Sequence, residues 1–238
     1  MRIALGSLVI VIGCGLGPSS AARAATATQS QPAQSAAALQ ADGEAAMEAS
    51  RFADAEAAFT RLVALRPGDA VAQLRLGMSR AMGGKAAEAI APLRESLRLR
   101  PDLLPARLFL GIAYLESGRP KEALGPLRQV VAAGDDGGNA RQALAEALLA
   151  VEEYAEASTH LGVLAGAQPH SPQVLAALGR SYEGVAREAF AALQAQEPDS
   201  PYVWLLVADV LAVQEKYPQA FDLLRKAQAV LPTLPGVH

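Results

Sequence analysis

Apolar and small residues return along this chain on two scales. Over Pro172–Gln196 the apolar and aromatic positions Leu175, Leu178, Tyr182, Val185, Ala189 and Leu193 are spaced 3, 4, 3, 4 and 4 apart. That is the periodicity of one face of an α-helix. On the longer scale, Pro67 and Pro101 are 34 residues apart, Pro169 follows 68 later, and Pro198 and Pro232 are again 34 apart. A fixed period of this size marks stacked supersecondary units, each too small to bury its own apolar face.

Laid over one another, the units start at Ala36, Ala70, Leu104, Gly138, Pro172 and Pro201. Unit position 8 is Gly43, Gly77, Gly111 and Gly179, with Ala145 and Ala208 in the other two units. Position 20 is always alanine: Ala55, Ala89, Ala123, Ala157, Ala186 and Ala220. Position 24 is large, as Phe59, Leu93, Leu127, Leu161, Phe190 and Leu224. Position 32 is proline except at Asp135. Small residues at 8 and 20 let two antiparallel helices approach closely, and the large residue at 24 is expected to fill the gap against the next helix. Proline lacks an amide donor and stops one helix from running into the next. The pattern predicts helix A over positions 1–14 and helix B over 17–30 of each unit. Turns such as Met82-Gly83-Gly84 and Glu116-Ser117-Gly118 lie between them, where glycine suits a left-handed helix end.

These residues resemble the tetratricopeptide repeat pattern W-x2-L-G-x2-Y…A-x3-F…P. Leu110-Gly111 with Tyr114, Ala123 and Leu127 follow it closely, as do Leu178-Gly179 with Tyr182, and Trp204 with Ala220, Leu224 and Pro232. The resemblance covers 36–234 and implies an all-α, right-handed α-solenoid of about six helical hairpins, with one shortened unit near 172–198.

That unit is the exception. Pro169 to Pro198 is 29 residues, and the missing five fall in the turn between helices A and B. The unbroken helical spacing favours one helix from about 172 to 196 over a tight hairpin at Gly184. A single glycine inside a helix costs only about 1 kcal/mol.

The N-terminus reads as a leader over 1–24. Met1-Arg2 is a short positive segment, Ile3–Gly17 is apolar, and Ala22-Arg23-Ala24 offers small residues for cleavage before Ala25. That order is the signature of export, and about 15 apolar residues fall short of the ~20 a spanning helix needs. Val11-Ile12-Gly13-Cys14 also resembles a lipobox, so a second reading makes Cys14 the lipid-bearing N-terminus of an envelope lipoprotein. Either reading places the chain in a bacterial envelope, in the periplasm or secreted, touching membrane only through a lipid or an uncleaved leader. Residues 25–35, rich in Gln, Ser, Thr and Ala, read as a flexible tether. Residues 235–238 read as the start of a further unit or a truncated end.

Removing 1–24 takes Arg2 and Arg23 and no acid, leaving 19 basic and 24 acidic residues, net −5. There is no basic stripe for a nucleic-acid backbone. Cys14 is the only cysteine, so the mature chain relies on packing without disulfides. Apolar residues are 51 % but aromatics only 5 %; the apolar content is chiefly alanine and leucine, both strong helix formers.

No catalytic constellation emerges, and the chain reads as a non-enzyme without cofactor or metal. His170 follows a repeat-end proline, His160 has no Cys or His at i+3 or i+4, and His238 is terminal. Asp135-Asp136-Gly137-Gly138-Asn139 lacks the alternating ligands and closing glutamate of a calcium loop and reads as an inter-repeat turn.

What remains is a binding surface. The family resemblance implies a concave groove lined by helix-A positions 2, 5, 9, 12 and 13. Carried over, unit 2 offers Val71, Leu74, Met78, Ala81 and Met82, and unit 3 offers Pro105, Leu108, Ile112, Leu115 and Glu116. The alternative is that these side chains only pack between helices. Gln40, Glu44 and Glu48 in unit 1, and Asn139, Gln142 and Glu146 in unit 4, are more polar. A groove apolar in the middle and acidic at one end suits an amphipathic helix or an extended apolar peptide. Some family members clamp a peptide carboxylate with Lys, Asn and Arg at groove positions. Position 5 here is Gln40, Leu74, Leu108, Gln142, Ala176 and Leu205, so that clamp is missing. The expectation is a scaffold that binds a protein or peptide, or alternatively the docking arm of a larger envelope enzyme or secretion assembly.

Overall fold

A computed structural model describes residues 35–134 and 138–232. The leader with Cys14, the tether up to residue 34, the Asp135-Asp136-Gly137 turn and residues 233–238 lie outside the described residues. Among those described there are eleven helices and no strand: α1 (Ala36–Glu48), α2 (Phe52–Leu65), α3 (Ala70–Met82), α4 (Ala86–Leu99), α5 (Leu104–Glu116), α6 (Pro120–Ala132), α7 (Asn139–Ala150), α8 (Tyr154–Ala167), α9 (Pro172–Gln196), α10 (Pro201–Val213) and α11 (Tyr217–Val230). Each helix up to α9 packs on the next, and α10 packs on α11. The result is an all-α solenoid of stacked hairpins.

Local chemistry sets the helix starts. The Ser35 hydroxyl accepts from the Ala38 amide, the Asp69 carboxylate from Val71 and Ala72, and the Ser171 hydroxyl from Val174. Each satisfies amides that a helix start leaves without a partner. Proline in the first turn of α5, α6, α9, α10 and α11 occupies positions whose N–H has no intrahelical acceptor. The A helices end on one device. Position 15 has positive φ in five units: Ser50 at 55°, Gly84 at 78°, Gly118 at 74°, Glu152 at 65° and Glu215 at 60°. This left-handed residue reverses the chain into helix B.

The glycines at position 8 are the seats of the hairpins. A Cβ on Gly77 would lie 2.4 Å from Cγ of Leu93, and one on Gly111 2.5 Å from Cγ of Leu127. On Gly43 it would lie 2.7 Å from the Phe59 ring. Leu93, Leu127 and Phe59 are fully buried, and so are Ala55, Ala89, Ala123 and Ala157 at position 20. Dense packing of this kind leaves no room for an added methyl. The main core runs from Leu74 to Ala177, with Leu178 against its edge; a second gathers around Leu39, Phe59 and Leu76. Buried polar groups are satisfied: the Ser96 hydroxyl donates to the Ala70 carbonyl at 2.7 Å, and Ser79 and Ser181 donate to carbonyls three residues back.

The shortened unit is a single helix. α9 runs 25 residues from Pro172 to Gln196 without a break. The five absent residues are positions 14–18, which in other units include the left-handed residue that turns the chain. Gly184 lies inside this rod as a seat: a Cβ there would stand 2.2 Å from Cγ of Tyr154, which packs on α9 from the start of α8. Tyr154 is held there by Arg187, which donates to its hydroxyl at 2.8 Å and lies over its ring. α9 makes scant contact with α10. The apolar residues Tyr202, Leu206, Val210, Tyr217 and Phe221 of the last hairpin are exposed.

Candidate binding groove

Helices α1, α3, α5 and α7 are the A helices of four consecutive full units. Their positions 2, 5, 9 and 12 recur at three- and four-residue steps, and 13 lies four beyond 9, so they share a stripe along each helix. α3 touches α5 directly and α5 touches α7, so the stripes lie side by side. Recesses open between neighbours. One of about 310 Å³ is lined by Ile112, Leu115 and Glu116 of α5 and by Asn139, Gln142 and Glu146 of α7. Another joins Gln40 and Glu44 of α1 to Val71 and Arg75 of α3. A third, between α7 and α9, brings Glu146 and Gln142 beside Gln173 and Arg180.

The seven apolar residues expected in the groove divide by burial. Met82 at the end of α3 is 48 % exposed. Val71, Met78, Leu108, Ile112 and Leu115 are half-buried; the last four have one side against the core and one side free. Leu74 is only 7 % exposed and belongs to the core itself. Position 5 of unit 2 therefore supports the surface from beneath. The spacing alone did not separate Leu74 from the half-buried residues of the same stripe.

The polar flanks expected in units 1 and 4 have a matching construction, with a glutamate on each side where acidity was expected at one end only. In α1 the Gln40 side-chain amide donates to Glu44 at 3.1 Å, and in α7 the Gln142 amide donates to Glu146 at 3.2 Å. These are positions 5 and 9 in both helices. The apolar middle of α3 and α5 is thus bordered on both sides by a Gln–Glu pair. The amide itself offers these carboxylates no countercharge; the nearest basic groups in the same recesses are Arg75 beside Glu44 and Arg180 beside Glu146.

Arg75 and Arg180 line the recesses beside the two Gln–Glu pairs, whereas Arg80, Lys85 and Arg128 are engaged away from the stripe. Glu56 of α2 takes Arg80 of α3 at 3.0 Å and Lys85 at 2.7 Å, joining successive units. The Lys85 hydrogen bond holds the Glu56 carboxyl below its ordinary value, with Arg80 adding to it against some desolvation. Arg128 of α6 reaches Glu153, just before α8, and Glu156 of α8, both at 2.6 Å, and its hydrogen bond likewise holds Glu156 low. His160 is half-buried between Arg141 and Glu156. Burial pushes its pKa down, and the Arg141 charge adds to this. The Arg141 guanidinium lies 3.3 Å from His160 Nδ1, so the neutral ring accepts there and carries its proton on Nε2. Among the described residues no group of His, Cys, Asp and Glu has the arrangement of a metal site, and no helix is long and apolar enough to cross a membrane.

Comparison with known proteins agrees with this architecture. Tetratricopeptide repeat models match residues 41–103 and 173–235, and a second model of the same description matches 80–137 and 115–180. The chain belongs to the tetratricopeptide repeat family. No curated protein matches it. Among solved structures it is similar to a crystal structure of MamA protein at 16 % identity and TM-score 0.57, covering 82 % of this chain and 90 % of that one. A mutant form of MamA gives 20 % identity and TM-score 0.59 over 82 % and 96 %. The crystal structure of the APC/C hetero-tetramer Cut9-Hcn1 gives 18 % and 0.51 over 87 % of this chain and 42 % of that one. At these identities the likeness is one of fold.

Proposed function

We propose that this chain is a non-enzymatic protein-interaction scaffold that holds a peptide or helix across the A-helix face of its first four units. The observation that carries the reading is the ordering of that face: Gln–Glu pairs on α1 and α7 border the apolar middle of α3 and α5. Such a surface suits a segment with apolar residues at its centre and lysine or arginine toward both ends. Met78 and Met82 supply flexible side chains that adapt to an uneven ligand. Because the helices are already stacked, the groove is preformed and little ordering opposes binding. The leader sequence supports a place in the bacterial envelope, reached either by cleavage before Ala25 or by lipidation at Cys14.

Selection from a random displayed-peptide library tests the groove. The expected peptides are apolar at the centre with basic flanks, and their affinity falls at least about tenfold, ~1.4 kcal/mol, with Met82→Lys or Glu146→Lys. Peptides that bind both variants as tightly as wild type would contradict the assignment. Mass spectrometry of the chain recovered from cells tests the location. An N-terminus at Ala25, or a lipid on Cys14, supports export; an intact Met1 in the cytosolic fraction counts against it.

A further inference from the structure

Unit 5 has a complete helix-B signature and a complete helix-A signature, and within one chain the two halves do not pack on each other. In units 1–4 the alanine at position 20 is fully buried; in unit 5 that residue, Ala186, is exposed. At position 24, Phe59, Leu93 and Leu127 are fully buried, but Phe190 is only half-buried. At position 27, Leu62, Val130 and Leu164 are buried, but Leu193 is not. The socket is empty as well. Gly43, Gly77 and Gly111 each press on the position-24 side chain of their own unit, whereas a Cβ on Gly179 would meet nothing within 4 Å. Knob and socket, Phe190 and Gly179, lie on the same straight helix, 11 residues and therefore about 16 Å apart. They cannot meet in one chain.

We infer that a second copy of this chain completes unit 5 by exchange, its α9 lying antiparallel against the first so that Phe190 of each chain seats on Gly179 of the other. Occupant and register follow from the helix itself. Antiparallel pairing of 179 with 190 is self-complementary, and its two-fold axis passes between Gly184 and Val185. This is the isologous arrangement that closes a dimer. The face needed is free, because α8 covers the side of α9 bearing Val174, Ala177, Ser181 and Gly184. Leu175, Gly179, Tyr182, Ala186, Phe190 and Leu193 point well away from it. Tyr182, 57 % exposed, then gains the cover that Tyr114 has at the same position of unit 3. The exchange also carries the apolar α10 to the partner's α9, where consecutive A helices elsewhere in the array touch. A missing turn in a repeat hinge is a low-cost route to exchange of elements between copies.

Light scattering of the purified full chain at micromolar concentration tests this, with two variants. Wild type is expected at twice the chain mass. Inserting a copy of the Ser117–Lys121 turn between Gly184 and Val185 restores the length of a full unit. It should let helix B fold back on its own helix A and give the mass of one chain. Phe190→Asp should also give one chain at unchanged helicity. A monomeric wild type would overturn the exchange and leave the face to a different protein. So would a dimer that survives either variant, since its interface lies elsewhere. Peptide affinity at the groove is not expected to change in the Phe190→Asp variant, so failure here is distinguishable from failure of the groove reading.

Discussion

A Cβ placed on Gly184 would stand 2.2 Å from Cγ of Tyr154, a residue 30 positions earlier in the chain and at the start of the preceding helix. The glycine that reads as a tolerated flaw in a long helix is thus the place where α8 docks on it. Gly184→Ala would gain up to about 1 kcal/mol in helix propensity. It would lose about 1–3 kcal/mol by forcing the ring and α8 outward. A net fall in melting temperature is expected. Gly162→Ala, also mid-helix but with nothing within 4 Å of its would-be Cβ, should raise it. Thermal melts followed by circular dichroism compare the two; a stabilising Gly184→Ala would show that Tyr154 is not seated there.

The left-handed turn residues make a second prediction. Glu152 and Glu215 adopt φ of 65° and 60° where two other units use glycine. A side chain in this region costs about 1–2 kcal/mol. Glu152→Gly should recover a part of that, about 0.5–1 kcal/mol, read as a rise in the urea midpoint. No rise, or a loss, would mean that the Glu152 side chain contributes more than its backbone strain removes.

Stability should fall in two stages on acidification. His160 is held neutral by burial, below its ordinary 6.5. Its contribution is therefore full above about that value and is lost as pH drops through the lower folded pKa. Glu56 and Glu156 are held below their ordinary 4.5 by hydrogen bonds from Lys85 and Arg128. Their contribution is full above that value and is lost further down. In each case the unfolded chain binds protons first, so stability declines as pH falls. Melting temperature recorded from about pH 7.5 to about pH 3 should show both stages, and His160→Gln should remove only the upper one. An unchanged upper stage in that variant would exclude His160 as its source.

Position 8 gives a fourth test. Gly111→Ala presses a methyl to 2.5 Å from Cγ of Leu127 at the centre of the main core. It should cost about 1–3 kcal/mol despite the better propensity of alanine. The paired change Gly111→Ala with Leu127→Ala should recover little, because removing a buried leucine costs about 2–5 kcal/mol by itself. Calorimetry of the three variants reads the coupling.

Much of this was legible in the sequence, because a repeat states its rule six times. Small residues at 8, alanine at 20, a large residue at 24 and proline at 32 are local signals in fixed register, and helix B lies at positions 17–30 as read; the sequence pointed the residue at 24 toward the next helix, whereas in units 1–3 it seats on position 8 of its own unit. The shortened unit was legible too, since deleting the turn leaves only a continuous 3.6-residue stripe. Contacts between units were less so. Nothing near Gly184 in the chain points to Tyr154. Leu74 has the spacing of a surface residue, but it is buried in the main core. Ser50, Glu152 and Glu215 are not residues from which a left-handed backbone is expected; the turn imposes it on them. The Gln–Glu pairs were visible one by one, but their places on either side of the apolar helices depend on the order in which the hairpins stack.

Amide chemical-shift mapping with a library-selected peptide tests most directly whether the A-helix face of the first four units holds the ligand. Perturbations should concentrate on α1, α3, α5 and α7, strongest around Met78, Ile112 and Glu146. A pattern centred on α2, α4, α6 and α8, or confined to α10 and α11, would contradict it.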